Sequence, residues 1–246
     1  MNSFKFESNI EHHDVIDSTN LRAIDVIMSE RKIDWITSSV QTDGKGRIDK
    51  TWSSPQGGLY ATRIINSDKL NYSNLSQFSI LSSVAVAKSI ESFLSGKKVS
   101  LKWPNDIFLS RKKVAGILIQ SINHKNRLFV IVGIGINVLR THSESNEYSY
   151  IEDFNKDIQL DLCFESLVTN LNEMINNWGY GEKFNDVREF WLSRCNHIGN
   201  KIIVKTNNTS KEGLFGGIDK NGNLILSLDG KNELINTSNI LIEESI

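Results

Sequence analysis

The residues best suited to chemistry lie in a basic, glycine-rich segment between Gln41 and Trp52. Within it, Gly44-Lys45-Gly46-Arg47 places two cations beside glycines, which let a backbone approach a ligand closely. Successive backbone N–H groups together with Lys45 and Arg47 favour binding of an anion. Taken alone, the same pattern also fits a basic hairpin turn, and its spacing matches neither a Walker loop nor a dinucleotide-binding fingerprint.

A second candidate segment begins at residue 101 and reaches Gly116. Pro104 ends a strand, so Asn105 follows at a turn where its side chain can bind polar groups, although a hairpin with an Asx turn gives the same pattern. Gly116, among β-branched residues, predicts a surface that something flat approaches. Lys113 stands three positions earlier on the same strand. Because an odd separation places two residues on opposite faces, we expect Lys113 to reach a ligand from the strand's end.

Two shorter motifs are ambiguous by themselves. The sequence from Val132 to Asn137 predicts a buried strand, and Asn137 either reads an adenine or ribose edge or simply ends that strand. Asp17-Ser18-Thr19-Asn20, ahead of a helical pattern, reads as a helix cap. Cys195 with His197 makes half of a metal site that no second Cys/His cluster completes, so we predict no zinc.

The elements that must position these motifs form an α+β pattern. Apolar spacing predicts helices at residues 19–30 and 75–94. Strands outnumber helices and the regular βαβ alternation is missing, which favours a mixed or antiparallel sheet over a doubly wound fold. The strands are predicted at residues 35–41, 59–65, 99–103, 107–109, 114–119 and 128–138.

The remainder of the chain changes character twice. Residues 141–157 are polar and poor in pattern, which predicts a mobile loop, either folded over a nucleotide or serving as a linker. Helices follow at 160–178 and 186–195. After Gly199, strands at 201–205, 213–218, 224–228 and 240–242 alternate with the turn pairs Asn207-Asn208, Asn221-Gly222 and Asp229-Gly230. We therefore predict a catalytic domain over residues 1–196 and a small β-barrel over residues 197–246.

Composition excludes several classes of protein. The 246 residues, 39% of them apolar, can bury one substantial core and a small second one. The net charge of −1, from 28 basic and 29 acidic residues, gives no global attraction to nucleic acid or an anionic membrane, so we predict neither partner. The first nine residues do not form a signal peptide, and the longest apolar stretch, 128–138, is too short to span a bilayer. With two cysteines, a cytoplasmic, reduced protein is predicted.

Taken in order, the motifs DSTN, QxxGKGRxxxxWxSP, KWPND, KKVAGIL and GIGIN resemble the biotin protein ligase family. The resemblance implies a catalytic domain related to class II aminoacyl-tRNA synthetases, followed by an SH3-like barrel. It also implies ATP-dependent activation of biotin to biotinyl-AMP, and transfer to a lysine of the biotin carboxyl carrier protein domain of a biotin-dependent carboxylase. Mg²⁺ would be bound by the ATP phosphates and not by a site made of protein ligands. A monomer or a homodimer is expected.

The resemblance also assigns roles to individual residues. Ser18, Thr19 and Asn20 would hold biotin's ureido ring together with Gln41. Lys45, Gly46 and Arg47 would close over the biotin carboxylate and the phosphate. Lys113 would bind the carboxylate and then the adenylate, which makes Lys113, Arg47 and Lys45 the catalytic set, while Gly116 lets the ring or tail pass. The nucleotide side would comprise Lys45, Arg47, Trp52, Asn105 and Asn137.

The chain departs from the family pattern in the basic loop, which usually reads GRGRxGRxW. Lys45 replaces the first arginine, Asp49 the later glycine and Lys50 the arginine after it. Lysine keeps the charge but loses the bidentate fork, and Asp49 adds a negative charge near an anion site, so weaker retention of the intermediate is expected. A non-catalytic sensor of biotin or its adenylate, and a lipoate–protein ligase, are the alternatives. Since the chain starts almost directly at the catalytic domain, no DNA-binding domain and no repressor role are expected.

Overall fold

A seven-stranded mixed sheet forms the centre of the protein, with strand order β1-β2-β3-β7-β6-β5-β4. The computed structural model describes residues 9–48, 50–141, 147–205, 210–236 and 241–244. Strands β1 and β2 pair in parallel, and the other neighbouring strands pair antiparallel. The strands are β1 (Ile10–Ile16), β2 (Trp35–Gln41), β3 (Gly58–Asn66), β4 (Ser100–Lys102), β5 (Asp106–Leu109), β6 (Lys112–His124) and β7 (Arg127–Asn137).

Four helices cover the two faces of this sheet unequally. They are α1 (Thr19–Met28), α2 (Leu75–Glu91), α3 (Leu160–Trp178) and α4 (Phe184–Arg194). Helix α2 is buried over most of its length and packs against α3, α4 and β6, where the larger apolar cluster lies. Helix α1 lies on the opposite face, where Ala23, Val26 and Ile27 pack against Ile36 and Ile131. The glycine-containing ends of β6 and β7 on that second face form the floor of a cavity.

A separate antiparallel sheet follows α4, with strand order β11-β10-β9-β8-β12. Its strands are β8 (Lys201–Lys205), β9 (Ser210–Ile218), β10 (Leu224–Leu228), β11 (Lys231–Ile235) and β12 (Leu241–Glu244). Its inner side chains, including Phe215 and Leu226, join the larger cluster, and the Phe215 ring lies 6.5 Å from that of Trp191 on α4. Within the described residues β11 and β12 are the two edges, so the sheet is open there.

The α+β class and most elements agree with the sequence expectations. Strand β2 and helix α3 have the predicted bounds, and the Asp229-Gly230 turn has both φ angles positive, as expected. Two short strands, β1 and β11, were not predicted, because polar residues interrupt their apolar alternation. Residues 114–119 are the centre of the much longer β6. The Asn207-Asn208 turn and Ile240 lie outside the described residues.

Candidate functional site

A cavity of about 580 Å³ opens on the face of the large sheet that carries α1. Three alternate residues of β7, Gly133, Gly135 and Asn137, line its floor, each two residues and therefore roughly 7 Å from the next. This spacing defines three successive stations along the cavity. All the sequence-predicted site residues line it, namely Ser18, Thr19, Asn20, Gln41, Lys45, Gly46, Arg47, Trp52, Asn105, Lys113, Gly116 and Asn137.

The first station is built by the start of α1. Ser18 is the N-cap residue of α1, as the sequence predicts, although its side chain makes no capping hydrogen bond. Instead the Ser18 side chain lines the cavity, 1% exposed. Asn20 reaches Gly133, where an added Cβ would lie 2.1 Å from its Oδ1. Gly133 is therefore the residue that lets α1 place Asn20 against the sheet.

A hydrogen-bond network fixes these polar groups. The backbone N–H and hydroxyl of Thr19 lie 2.9 and 3.0 Å from Gln41 Oε1. Thr62, fully buried on β3, has its hydroxyl 2.8 Å from Thr19 Oγ1 and 2.7 Å from Asn20 Oδ1. The Asn20 amide donates to Gln120 Oε1 at 2.8 Å. Three donors, the two hydroxyls and the Thr19 N–H, hold the Gln41, Thr19 and Asn20 oxygens in place, and the Thr19 and Asn20 oxygens each keep a lone pair that can accept from a ligand.

The second station is occupied by Trp52, whose indole lies against two glycines. A Cβ at Gly116 would be 2.8 Å from the ring, and one at Gly135 would be 2.4 Å from its Nε1. The flat group that Gly116 predicts is therefore, in the described structure, the indole of Trp52. The indole N–H is buried and has no hydrogen-bond partner among the described residues, so it can donate to a ligand.

Lys113 lies beside this indole, on the same face of β6 as Gly116. Its Nζ is 5.1 Å from the centre of the Trp52 ring, and its Cε would be 3.4 Å from a Cβ at Gly116. The expectation that Lys113 must reach the cavity from the strand's end is wrong. The pairing of β5 with β6 shifts register between Ile107 and Phe108, which leaves Val114 as an extra, bulged residue. The bulge reverses the alternation, so an odd separation brings both residues to one face.

Carboxylates accompany two of the three predicted cations. Lys113 Nζ lies 2.6 Å from Asp106 Oδ1, and Lys45 Nζ lies 2.5 Å from Asp43 Oδ2. Burial lowers the pKa of the Arg47 guanidinium from its ordinary value, and the Asp106 carboxylate acts in the opposite direction. Arginine nevertheless stays charged at neutral pH. Lysine and arginine side chains therefore meet at this station, where they can contact an anion. Asp49 lies outside the described residues.

The third station contains Asn137, whereas Asn105 lies at the level of Ile117, whose partner on β7 is Ile134, between the first two stations. Asn105 Nδ2 donates to the Ile117 carbonyl at 2.6 Å, and Asn137 Nδ2 lies 3.4 Å from the Lys113 carbonyl. That same carbonyl accepts the backbone N–H of Ser149 at 3.0 Å. This bond joins residues 147–157, a described part of the expected mobile loop, to β6. Tyr150 and Ile151 in this segment are buried.

Several cavity residues were missed by sequence reasoning. Tyr148 and Tyr150 were read as part of a loop, although two aromatic residues in a polar stretch were a usable signal. Thr62, which supports the cavity from behind without lining it, gave no signal, because a single threonine in an apolar strand looks like any other. Further lining residues come from motifs already singled out, namely Lys102, Trp103, Pro104, Asp106, Gly133 and Gly135.

The described residues offer neither a cysteine nucleophile nor a metal cluster. Burial raises the pKa of Cys163 to about 12 and that of Cys195 to about 11, so both thiols stay protonated and unreactive at neutral pH. No group of three His, Cys, Asp or Glu side chains in the described part of the chain could hold a metal ion. No helix among those residues is long and apolar enough to cross a membrane.

Comparison with known proteins gives consistent findings. Residues 14–137 match the family model described as the biotin/lipoate A/B protein ligase family. The bifunctional ligase/repressor BirA of Bacillus subtilis is 30% identical over 234 residues, which span 87% of this chain and 68% of that protein. The biotin--[acetyl-CoA-carboxylase] ligase of Paracoccus denitrificans is 26% identical over 228 residues, or 85% of this chain and 90% of its own.

Among solved structures, a biotin protein ligase from Aquifex aeolicus in complex with biotin and ATP superimposes with a TM-score of 0.82. It covers 98% of this chain and 100% of its own, at 23% sequence identity. At that identity the superposition supports the fold. It spans both the large sheet and the C-terminal sheet.

Proposed function

The chain belongs to the biotin/lipoate A/B protein ligase family, and from this premise we propose that it is a biotin protein ligase. The observation that carries the proposal is the order of the three stations along β7. A neutral, hydrogen-bonding end comes first, then a cationic centre, and then Asn137 with Tyr148. Biotin has a neutral ureido ring at one end and a carboxylate at the other, and the nucleotide that activates it must lie beyond that carboxylate.

The first station suits a urea group. The ureido ring of biotin carries two N–H donors and one carbonyl acceptor, and the Thr19 and Asn20 oxygens, held in place by Thr62, can each accept a further hydrogen bond. An N–H group buried without an acceptor is costly, so oxygens fixed in this way favour a ligand that donates N–H groups here. Ser18 and Gln41 complete the proposed ureido site.

The second station accounts for the activation step. A carboxylate oxygen of biotin attacks the α-phosphorus of ATP, the bond from that phosphorus to the bridging oxygen breaks, and pyrophosphate leaves. Both reactants are anions, so they approach only where positive charge is fixed. Lys113 and Arg47 are placed to supply it, with Lys45 at the rim. A charge pair at about 4 Å is worth roughly 4 kcal/mol at an effective dielectric near 20, so three cations are sufficient.

Mg²⁺ is expected to accompany ATP and to screen its phosphates. Asp106 supplies the carboxylate among the described lining residues, and the Asn105 side-chain oxygen lies next to it in sequence. This donor set fits a hard cation that keeps most of its ligands from phosphate and water. The protein's own part is therefore to position Asp106 and the asparagines.

In the second step, the amine of an acceptor lysine attacks the carbonyl carbon of biotinyl-AMP. AMP leaves with the bonding electron pair and the nitrogen loses a proton, so an amide remains. AMP is already a good leaving group, and positioning dominates the rate. The acceptor we propose is the biotin carboxyl carrier protein domain of a carboxylase, the substrate that the name of the Paracoccus relative indicates.

The finer structural expectations belong to the same proposal. Residues 1–196 would form a catalytic domain related to class II aminoacyl-tRNA synthetases, and residues 197–246 an SH3-like barrel. The open five-stranded sheet and the superposition on the Aquifex ligase support this division. A cytoplasmic monomer or homodimer that acts on a carrier protein, without nucleic acid or membrane, completes the proposal.

The test measures biotin-dependent release of pyrophosphate from ATP by the purified chain, with lipoate in a parallel reaction. We expect release with biotin and not with lipoate, and co-purified biotinyl-AMP by mass analysis. Binding of biotin without pyrophosphate release would identify a sensor instead, and release with lipoate alone would identify a lipoate ligase.

A further inference from the structure

The C-terminal sheet reaches the back of the KWPND segment, residues 102–106, which forms one wall of the cavity. The indole N–H of Trp103, a residue 3% exposed, donates to the carbonyl oxygen of Gly222 at 3.1 Å. Gly222 lies in the turn between β9 and β10. Among the described residues, none beyond Tyr150 lines the cavity, so the sheet contacts the wall without entering the site.

The turn that presents this carbonyl is rigidly built. Asp219 Oδ1 accepts the backbone N–H groups of both Asn221 and Asn223 at 2.8 Å. The backbone N–H of Asp219 donates to the Asn223 carbonyl, also at 2.8 Å. These bonds close the turn on itself, so the Gly222 carbonyl points in one fixed direction.

The first turns of α2 hold the turn and the wall together. Gly222 has a φ of +82°, and a Cβ there would lie 3.0 Å from the carbonyl oxygen of Ser76, so the turn rests directly on the helix backbone. Gln77 Nε2 donates to the Lys220 carbonyl at 3.4 Å. At the fifth residue of α2, the Ser79 hydroxyl donates to the carbonyl of Pro104 at 2.7 Å. Two hydrogen bonds therefore fix the wall from behind, one from α2 and one to the turn.

We infer that the 219–223 turn positions the KWPND segment for the nucleotide, so that Trp103 and Gly222 are positioning residues. The inference rests on the proposed function and deepens it. Asn105 and Asp106 follow Trp103 after the single residue Pro104, and Asp106 in turn orients Lys113. The ureido end, by contrast, is built from α1, β2 and β3, which the described turn does not contact. Loosening the turn is expected to impair ATP while biotin binding remains.

Two glycines provide a matched pair of variants. Gly222 and Gly230 both lie in turns of the C-terminal sheet, with φ of +82° and +81°. An alanine at either position suffers the same backbone strain. A Cβ at Gly230, however, meets nothing within 4 Å, whereas one at Gly222 meets α2. Trp103→Phe removes the indole N–H that donates to the Gly222 carbonyl and keeps an aromatic ring. This variant tests the inference if Gly222→Ala does not fold.

The experiment combines hydrogen–deuterium exchange across residues 100–109 with the KM values for ATP and for biotin. In Gly222→Ala and Trp103→Phe we expect exchange about tenfold faster, the effect of losing one buried hydrogen bond. We expect an ATP KM raised about fivefold or more and a biotin KM changed less than about twofold. Gly230→Ala should match the wild type in both measurements.

Equal exchange in the wild type and both test variants would overturn the inference. So would faster exchange with an unchanged ATP KM, or an equal rise in both KM values, which indicates general destabilisation. Exchange needs no substrate, so it decides whether the turn holds the wall even if the wild type releases no pyrophosphate. That last result would contradict the proposed function instead.

Discussion

The ammonium of Lys113 lies 2.6 Å from the carboxylate of Asp106, and both groups face the cavity half-buried. Without a bound anion, Asp106 therefore neutralises the cation proposed to receive biotin's carboxylate. When a carboxylate or phosphate enters, Lys113 can exchange the Asp106 oxygen for an oxygen of that anion. Its ammonium therefore always has a partner while it is buried. The pair holds the lysine ammonium in position.

Removal of either fixed cation is expected to abolish most of the adenylation. Lys113→Ala and Arg47→Ala should each lower the rate of biotinyl-AMP formation about 10²- to 10³-fold, the usual cost of deleting one preorganised charged group. The measurement is biotin-dependent pyrophosphate release with purified variants that melt cooperatively. Lys112→Ala, at the exposed neighbouring position, serves as the control and should retain the wild-type rate. Wild-type rates in both test variants would show that these cations are not catalytic.

At the ureido end of the cavity, we expect a substitution to change the affinity for biotin and not the KM for ATP. Thr62→Val keeps the volume of a buried side chain but removes the hydroxyl that lies 2.7 Å from Asn20 Oδ1. Without this hydroxyl the Asn20 and Thr19 oxygens lose the donor that orients them towards the ligand, so biotin affinity should fall about tenfold. The ATP KM is expected to stay within about twofold, since the nucleotide side is about 13 Å away along β7. Titration calorimetry with biotin measures the first quantity. Unchanged affinity would contradict the proposed network.

The sequence predicted the cavity residues better than the reasons for their arrangement. Motif order brought Ser18, Gln41, Lys113 and Asn137 together correctly, because each motif ends or begins a strand or helix. The bulge at Val114 could not be predicted, because register depends on the partner strand and not on the residue itself.

Long-range contacts account for the other misses. The placement of Trp52 over Gly135 joins residues 83 positions apart, and no local pattern encodes it. Tyr150 was assigned to a mobile loop, because its burial depends on the sheet that forms elsewhere in the chain. Strand β1 contains a run of polar residues, and two of them, Glu11 and His12, have partners on α1 and β2.

The departure at Lys45 gives a testable effect on the intermediate. Asp43 lies 2.5 Å from the Lys45 ammonium at the exposed rim, so it competes with a phosphate for that cation. Asp43→Asn should slow the release of biotinyl-AMP about two- to fivefold, because exposed ion pairs contribute only about 0.2–1 kcal/mol. Stopped-flow release of purified adenylate gives the rate. The double variant with Asp43→Asn and Lys45→Ala is the control, and in it the slower release of biotinyl-AMP should disappear. Faster release in the single variant would mean that Asp43 supports the loop instead.

Glu11 on β1 predicts how stability depends on pH. Hydrogen bonds from Arg22, and then from His13 and Arg31, lower the pKa of Glu11 from 4.5 to about 2, against the opposing effect of burial. A carboxyl whose folded pKa is depressed stabilises the fold fully above its unfolded pKa. That stabilisation is lost as the pH falls through the folded value. The window here is pH 4.5 to 2.

The stability difference between the wild type and Glu11→Gln isolates this contribution, because glutamine does not titrate and other acidic groups cancel. We expect a difference of about 2–3 kcal/mol at pH 6, falling steadily below pH 4.5, measured by urea unfolding. Glu30→Gln is the control, since Glu30 pairs with Lys125 on the exposed surface and should show a much smaller trend. A difference that stays constant from pH 6 to pH 3 would mean that Glu11 acts through packing and not through its charge.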